Sequence, residues 1–195
     1  TDVAVKATTM TGITGGAGAK GGRYGSACAG GAASGIGVLG GSGVSISNVD
    51  ISTVAGGNGG VHFVYGSSGS GGDGRGVYVV DSLDFVLSDS KIHDLDGGTG
   101  TGANCLNWVE KAGAGGNAVG VWMSGANLAE IASTDVYRMA GGNGGDGCNA
   151  HDGKGGDGTG LYLADAGGPM VKNLLVYSSM PGTPGHPDNA VYGNT

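Results

Sequence analysis

The sequence predicts an all-β solenoid, in which short strands stack along one axis. Three observations predict it. Four segments of equal length align with one another, the apolar residues inside them recur every second position, and 48 of the 195 residues are glycine. Glycine at roughly a quarter of the chain, against an average of about 7%, argues against helices, and the absence of a strict Gly-X-Y period with only 4 prolines excludes collagen.

The aligned segments are 35–56, 76–97, 120–141 and 160–181, the last with a one-residue slip near its end. Each runs 21 positions from an opening glycine to a closing glycine or proline, whereas the spacers between them run 20, 23 and 19. Constant length marks the core and variable length marks the loops. Inside the core the first apolar column is Ile36, Val77, Val121, Leu161, and the next is Val38, Val79, Met123, Leu163. Two later columns are Ile46, Leu87, Ile131, Val171 and Ile51, Ile92, Val136, Val176. A spacing of two is strand periodicity, so each segment reads as three short strands separated by small residues. A unit this small cannot bury its own apolar face, but stacked units can. Residues 1–15 and 190–195 read as partial units, and the whole chain as one repeat domain.

The G-[IVL]-x-[VLM] starts, the Asn48-Val49-x-Ile51 and Asn173-Leu174-x-Val176 ends and the GGxGG run-ons resemble the glycine-rich right-handed parallel β-helix proteins of bacterial surfaces. The resemblance implies a single-stranded right-handed parallel β-helix with stacked glycine-rich loops and an extracellular or cell-surface location. In the middle units the motif Asn is replaced by Asp89 and Ser133.

The spacers alternate glycine arm, tip and glycine arm. Gly56–Gly60 and Ser70–Gly76 flank Val61–Tyr65, and Gly141–Gly145 and Gly153–Gly160 flank Cys148–Asp152. Such arms read as polyglycine-II-like strands laid side by side, an arrangement similar to the polyglycine sandwich of certain phage tail adhesins. The tip residues Tyr24, Phe63, Tyr65, Trp108 and His151 break the glycine surface and are the candidates for binding a glycan or receptor. A further column, Gly37, Tyr78, Trp122, Tyr162 and Tyr192, lies between inward positions and is expected to face outward. Its rings suit a sugar face, but cover by folded-back glycine arms is the preferred reading.

Chemistry is less legible. A net charge of -7 gives no basic face for nucleic acid, and no apolar run approaches the ~18 residues of a helical membrane span. Cys105 and Cys148 sit at matching places in adjacent spacers and are a disulfide candidate, with Cys28 unmatched. His62, His93, His151 and His186 show no ligand spacing, so no metal or cofactor is expected. Asp146-Gly147-Cys148 and Asp157-Gly158-Thr159 lack the large apolar residue that a calcium-binding RTX repeat needs. Asp81 with Asp84, or Asp89 with Asp135, would have to supply the paired carboxylates of a polysaccharide hydrolase, and Arg75 or Lys91 the base of a lyase. They read instead as turn formers and solvated faces, and no catalytic residue is expected.

The chain has no initiator Met and no signal-peptide pattern, and reads as a mature product or an excised fragment. Counted in core positions, residues 190–195 stop one strand into a unit and residues 1–15 start at the second strand of one. Open parallel strands at both ends invite pairing. The expected function is therefore structural and non-enzymatic: a subunit of a surface or extracellular fibre assembled head to tail. Val191 and Tyr192 of one copy would complete the unit begun by Val3 and Val5 of the next. A glycan- or receptor-binding adhesin is the alternative, and a polysaccharide lyase or hydrolase stands third.

Overall fold

The computed structural model describes all residues except 1, 24, 63–65, 104–110, 149–150, 166, 186 and 189–195. Among them no helix forms. The strands are β1 (Val3–Lys6), β2 (Thr9–Thr14), β3 (Ala33–Leu39), β4 (Val44–Ser47), β5 (Asp50–Ala55), β6 (Gly74–Val80) and β7 (Val86–Ser88). They continue with β8 (Lys91–Asp96), β9 (Ala118–Ser124), β10 (Glu130–Ala140), β11 (Gly147–Cys148), β12 (Gly158–Ala164), β13 (Met170–Met180) and β14 (Pro187–Asp188).

These strands form two main parallel sheets. One is eight-stranded, ordered β1-β4-β7-β10-β8-β5-β2, with β13 also on β10; the other is four-stranded, ordered β12-β9-β6-β3. A short pair, β11 with β14, stands apart. This layout corrects the expected single-stranded β-helix solenoid with stacked glycine-rich loops. The physical reason lies in β10. Its eleven residues run on through Ser133, where the sequence suggests a strand break. Ser133 takes φ 46°, which turns the chain, yet pairing resumes at once. Glu130–Ala132 pair with β7 and Asp135–Ala140 with β8, so one strand merges the second and third strands of each unit into a single sheet. The repeating element is thus a strand register shared by two sheets, not a glycine-rich repeat, and this layout gives no evidence for an extracellular fibre.

Within the sheets, the residues aligned in the sequence are register partners. Ile36 pairs with Val77, Val77 with Val121 and Val121 with Leu161. Ile51, Ile92, Val136 and Val176 follow one another in the same way. The two sheets pack across a shared core, β5 on β6, β8 on β9 and β10 on β12. Ile46, Ile51, Val77, Val79, Phe85, Leu87, Ile92, Val121, Met123, Ile131 and Val136 are all fully buried there. The opening glycines make this closure possible. A Cβ on Gly35, Gly76, Gly120 or Gly160 would fall inside the side chain of Ile51, Ile92, Val136 or Val176 respectively. Each opening glycine therefore seats the third-strand apolar residue of its own unit.

The glycine segments outside the sheets bond to one another. Gly57 donates to Gly31, Gly72 to Gly57, Gly98 to Gly72, Gly116 to Gly98, Gly142 to Gly116 and Gly156 to Gly142, each N–H to carbonyl at 2.8 Å. Most of these glycines leave no room for a side chain: a Cβ on Gly98 or Gly142 would strike the backbone of Gly57 or Gly98. The backbone groups of the spacers are satisfied in this way without strand geometry.

Candidate functional site

The core columns do not end inside the molecule. Met123, Ile131 and Val136 are fully buried, whereas their next register partners Leu163, Val171 and Val176 are each 41% exposed. Among the described residues β12 pairs on one side with β9 and β13 on one side with β10. Among the described residues the far sides of both strands therefore have no strand partner, and they lie beside half-exposed apolar side chains.

Two aromatic stacks end at the same edge. Tyr78, Trp122 and Tyr162 are register partners on the four-stranded sheet, with ring centroids 4.7 and 5.7 Å apart. His93, Tyr137 and Tyr177 stack on the larger sheet at 4.8 and 4.9 Å. Inner rings such as Trp122 have both faces taken by neighbours, but among the described residues Tyr162 and Tyr177 are the last rings of their stacks, at the β12–β13 edge, and are nearly half exposed. The Arg75 guanidinium lies over the inner part of the first stack, 4.7 Å from the Tyr78 centroid. The second stack is flanked by charge. His93 Nε2 lies 3.0 Å from Asp50 and its Nδ1 2.7 Å from Asp94, and Arg138 grips Asp94 through Nε at 2.6 Å. Burial works against ionisation of Asp94. Hydrogen bonds from His93 and Arg138 outweigh it, and the carboxyl is held below its ordinary value of 3.8.

The opposite edge is formed by β1, β2 and β3. Val3 is 52% exposed, and Val5, Met10 and Ile13 are half-buried against the end of the core. This edge offers the same columns in the same order: Val5 heads the one that runs through Ile46, Leu87 and Ile131 to Val171. Met10 heads the one that runs through Ile51, Ile92 and Val136 to Val176.

Of the residues singled out in the sequence, Val3 and Val5 thus lie on an open edge. Val191, Tyr192, Tyr24, Phe63, Tyr65 and Trp108 lie outside the described residues. His151 is exposed in its spacer. Cys105 and the side chain of Cys148 also fall outside, and Cys28 is a free, exposed cysteine. Asp81, Asp84 and Asp89 hold turns at φ 49°, 54° and 49°. Among the described residues no group of three or more His, Cys, Asp or Glu is placed to hold a metal ion. The stack His93, Tyr137, Tyr177 is not among the columns singled out in the sequence, although all three stand seventeen positions after their opening glycines. No family model, no curated protein and no solved structure matches the chain.

Proposed function

We propose that the chain is a non-catalytic structural protein that associates with further copies of itself, head to tail. The β13 edge of one copy takes β1 and β2 of the next as its following strands. The observation that carries this reading is the uncovered end of the core, where Val171 and Val176 stand open one register step beyond fully buried partners. Continuing the register puts Val5 of the incoming copy after Val171, and Met10 after Val176. Apolar residue then follows apolar residue, and unpaired N–H and C=O groups of two parallel edges meet. Completing the burial of each half-exposed core side chain contributes on the order of 1 kcal/mol. Because the two edges differ, the contact is heterologous and leaves one edge free at each end, so association is open.

Sedimentation velocity over a concentration series tests this. The unaltered chain should form species larger than one 18.6 kDa copy as concentration rises. Val176→Lys sets a charge on the outer edge where the native side chain is already 41% exposed, and should leave folded monomers. A chain that remains monomeric throughout, or a variant that associates as well as its parent, overturns the reading.

A further inference from the structure

The four-stranded sheet carries a second feature, independent of its edge. Just before β6, β9 and β12, Asp73, Asn117 and Asp157 form a ladder in which the side chains of Asp73 and Asn117 each serve the next unit's backbone. Asp73 Oδ1 accepts from Asn117 N at 2.9 Å, and Asn117 Oδ1 accepts from Asp157 N at 2.9 Å. Two residues along, the register partners are Arg75, Val119 and Thr159, and beyond them stand the rings of Tyr78, Trp122 and Tyr162.

The second unit fills this arrangement with its own side chain. Arg75 pairs with Asp73 Oδ2 at 2.7 Å, and its guanidinium lies 4.7 Å from the Tyr78 centroid and 5.5 Å from that of Trp122. One carboxylate oxygen and two ring systems thus hold one planar cation. Two units on, the carboxylate and the ring recur as Asp157 and Tyr162, but the arginine is replaced by Thr159. The space over Val119 and Thr159 is a notch of about 230 Å³ whose walls include Asp73, Arg75, Asn117, Trp122, Asp157 and Tyr162, with the Arg75 guanidinium held at one end by Asp73. Asp157 is the last member of its ladder, and its carboxylate is exposed.

We infer that this notch is a binding site for the guanidinium group of an arginine side chain on a partner polypeptide. The chain displays the bound state in its own second unit, where Arg75 plays the ligand. An incoming arginine would pair with Asp157 and lie against Tyr162 and Trp122, as Arg75 pairs with Asp73 and lies against Tyr78 and Trp122. A planar cation matches this seat better than an ammonium, because it pairs in plane with the carboxylate while packing on a ring. The net charge of -7 favours approach of a basic segment.

The test is calorimetric titration of the unaltered chain with the blocked tripeptide Gly-Arg-Gly, and with the same peptide carrying lysine or citrulline in place of arginine. Tryptophan fluorescence in a Trp108→Phe background, which leaves Trp122 as the sole indole, gives a second readout. Arginine peptide should bind saturably and perturb Trp122, the lysine peptide should bind about tenfold more weakly, and the uncharged citrulline peptide should not bind. Asp157→Asn should weaken arginine binding about tenfold, and Thr159→Arg should abolish it by filling the seat from within. Circular dichroism confirms that both variants remain folded. Equal binding of citrulline, undiminished binding by folded Asp157→Asn, or no saturable signal with the arginine peptide overturns the inference.

Discussion

Left-handed backbone recurs at fixed places in each unit, and the residues that carry it are often not glycine. One column is Ala7, Asn48, Asp89, Ser133 and Asn173, and another is Gly12, Thr53, Asp94, Arg138 and Ser178, all with positive φ. A third turn holds Gly43, Asp84, Leu128 and Gly168. Asn, Asp and Gly tolerate this region, but a branched apolar side chain is strained there by about 1–2 kcal/mol. Leu128 sits at φ 53° and is 66% exposed, so it gains little burial in return. Leu128→Gly should therefore raise stability by about 0.5–1 kcal/mol in denaturant unfolding, the relief of strain outweighing glycine's greater unfolded-state entropy. Asp94 makes a prediction in pH. Its folded carboxyl is held below the ordinary 3.8, so its contribution is present above that value and is lost as pH falls through the folded one. Asp94→Asn keeps a residue suited to positive φ. It should cost less than about 1 kcal/mol at neutral pH, because the pair is partly exposed, and the gap to the parent should close in acid. Unfolding curves of both proteins, taken from neutral pH down into strong acid, should give stability profiles that converge. Such corners were half legible in the sequence: Asn48 and Asn173 suggest a turn, but nothing about Leu128 or Arg138 as residue types announces a left-handed conformation.

At the level of elements, glycine has distinct roles that depend on place. Gly120 begins the core path of β9, and a Cβ there would fall inside Val136. Gly37 lies in β3, and a Cβ there would meet nothing within 4 Å. Gly120→Ala should destabilise by about 1–3 kcal/mol through overpacking, while Gly37→Ala should be neutral or stabilise by up to about 1 kcal/mol. Paired thermal melts would show opposite shifts for one and the same substitution. The apolar columns were readable because a period of two and a fixed 21-position length survive every change of side chain. The sheet layout was not. The fusion of second and third strands depends on Ser133 and Asn173 turning the backbone without ending its pairing, and a small polar residue reads equally well as a break. The His93, Tyr137, Tyr177 stack was recoverable from the alignment of the four units, whereas the Arg75 seat was not, because its second ring, Trp122, comes from the next unit.

Across the described residues, both ends of the parallel sheets carry the same ordered columns, one edge led by Val3, Val5 and Met10 and the other ending at Val171 and Val176. Self-association through those edges is the central claim, and its most direct test is complementation between two variants, each spoiled at one edge. Val3→Lys alters the β1 edge, where the side chain is 52% exposed, and Val176→Lys alters the β13 edge. Each alone should sediment as a monomer, since every contact needs one edge of each kind. Mixed in equal amounts, they should form one-to-one dimers and nothing larger, because the intact β13 edge of Val3→Lys meets the intact β1 edge of Val176→Lys and the outer edges are both blocked. A mixture that stays monomeric while the unaltered chain associates, or either variant associating by itself, would contradict the head-to-tail account.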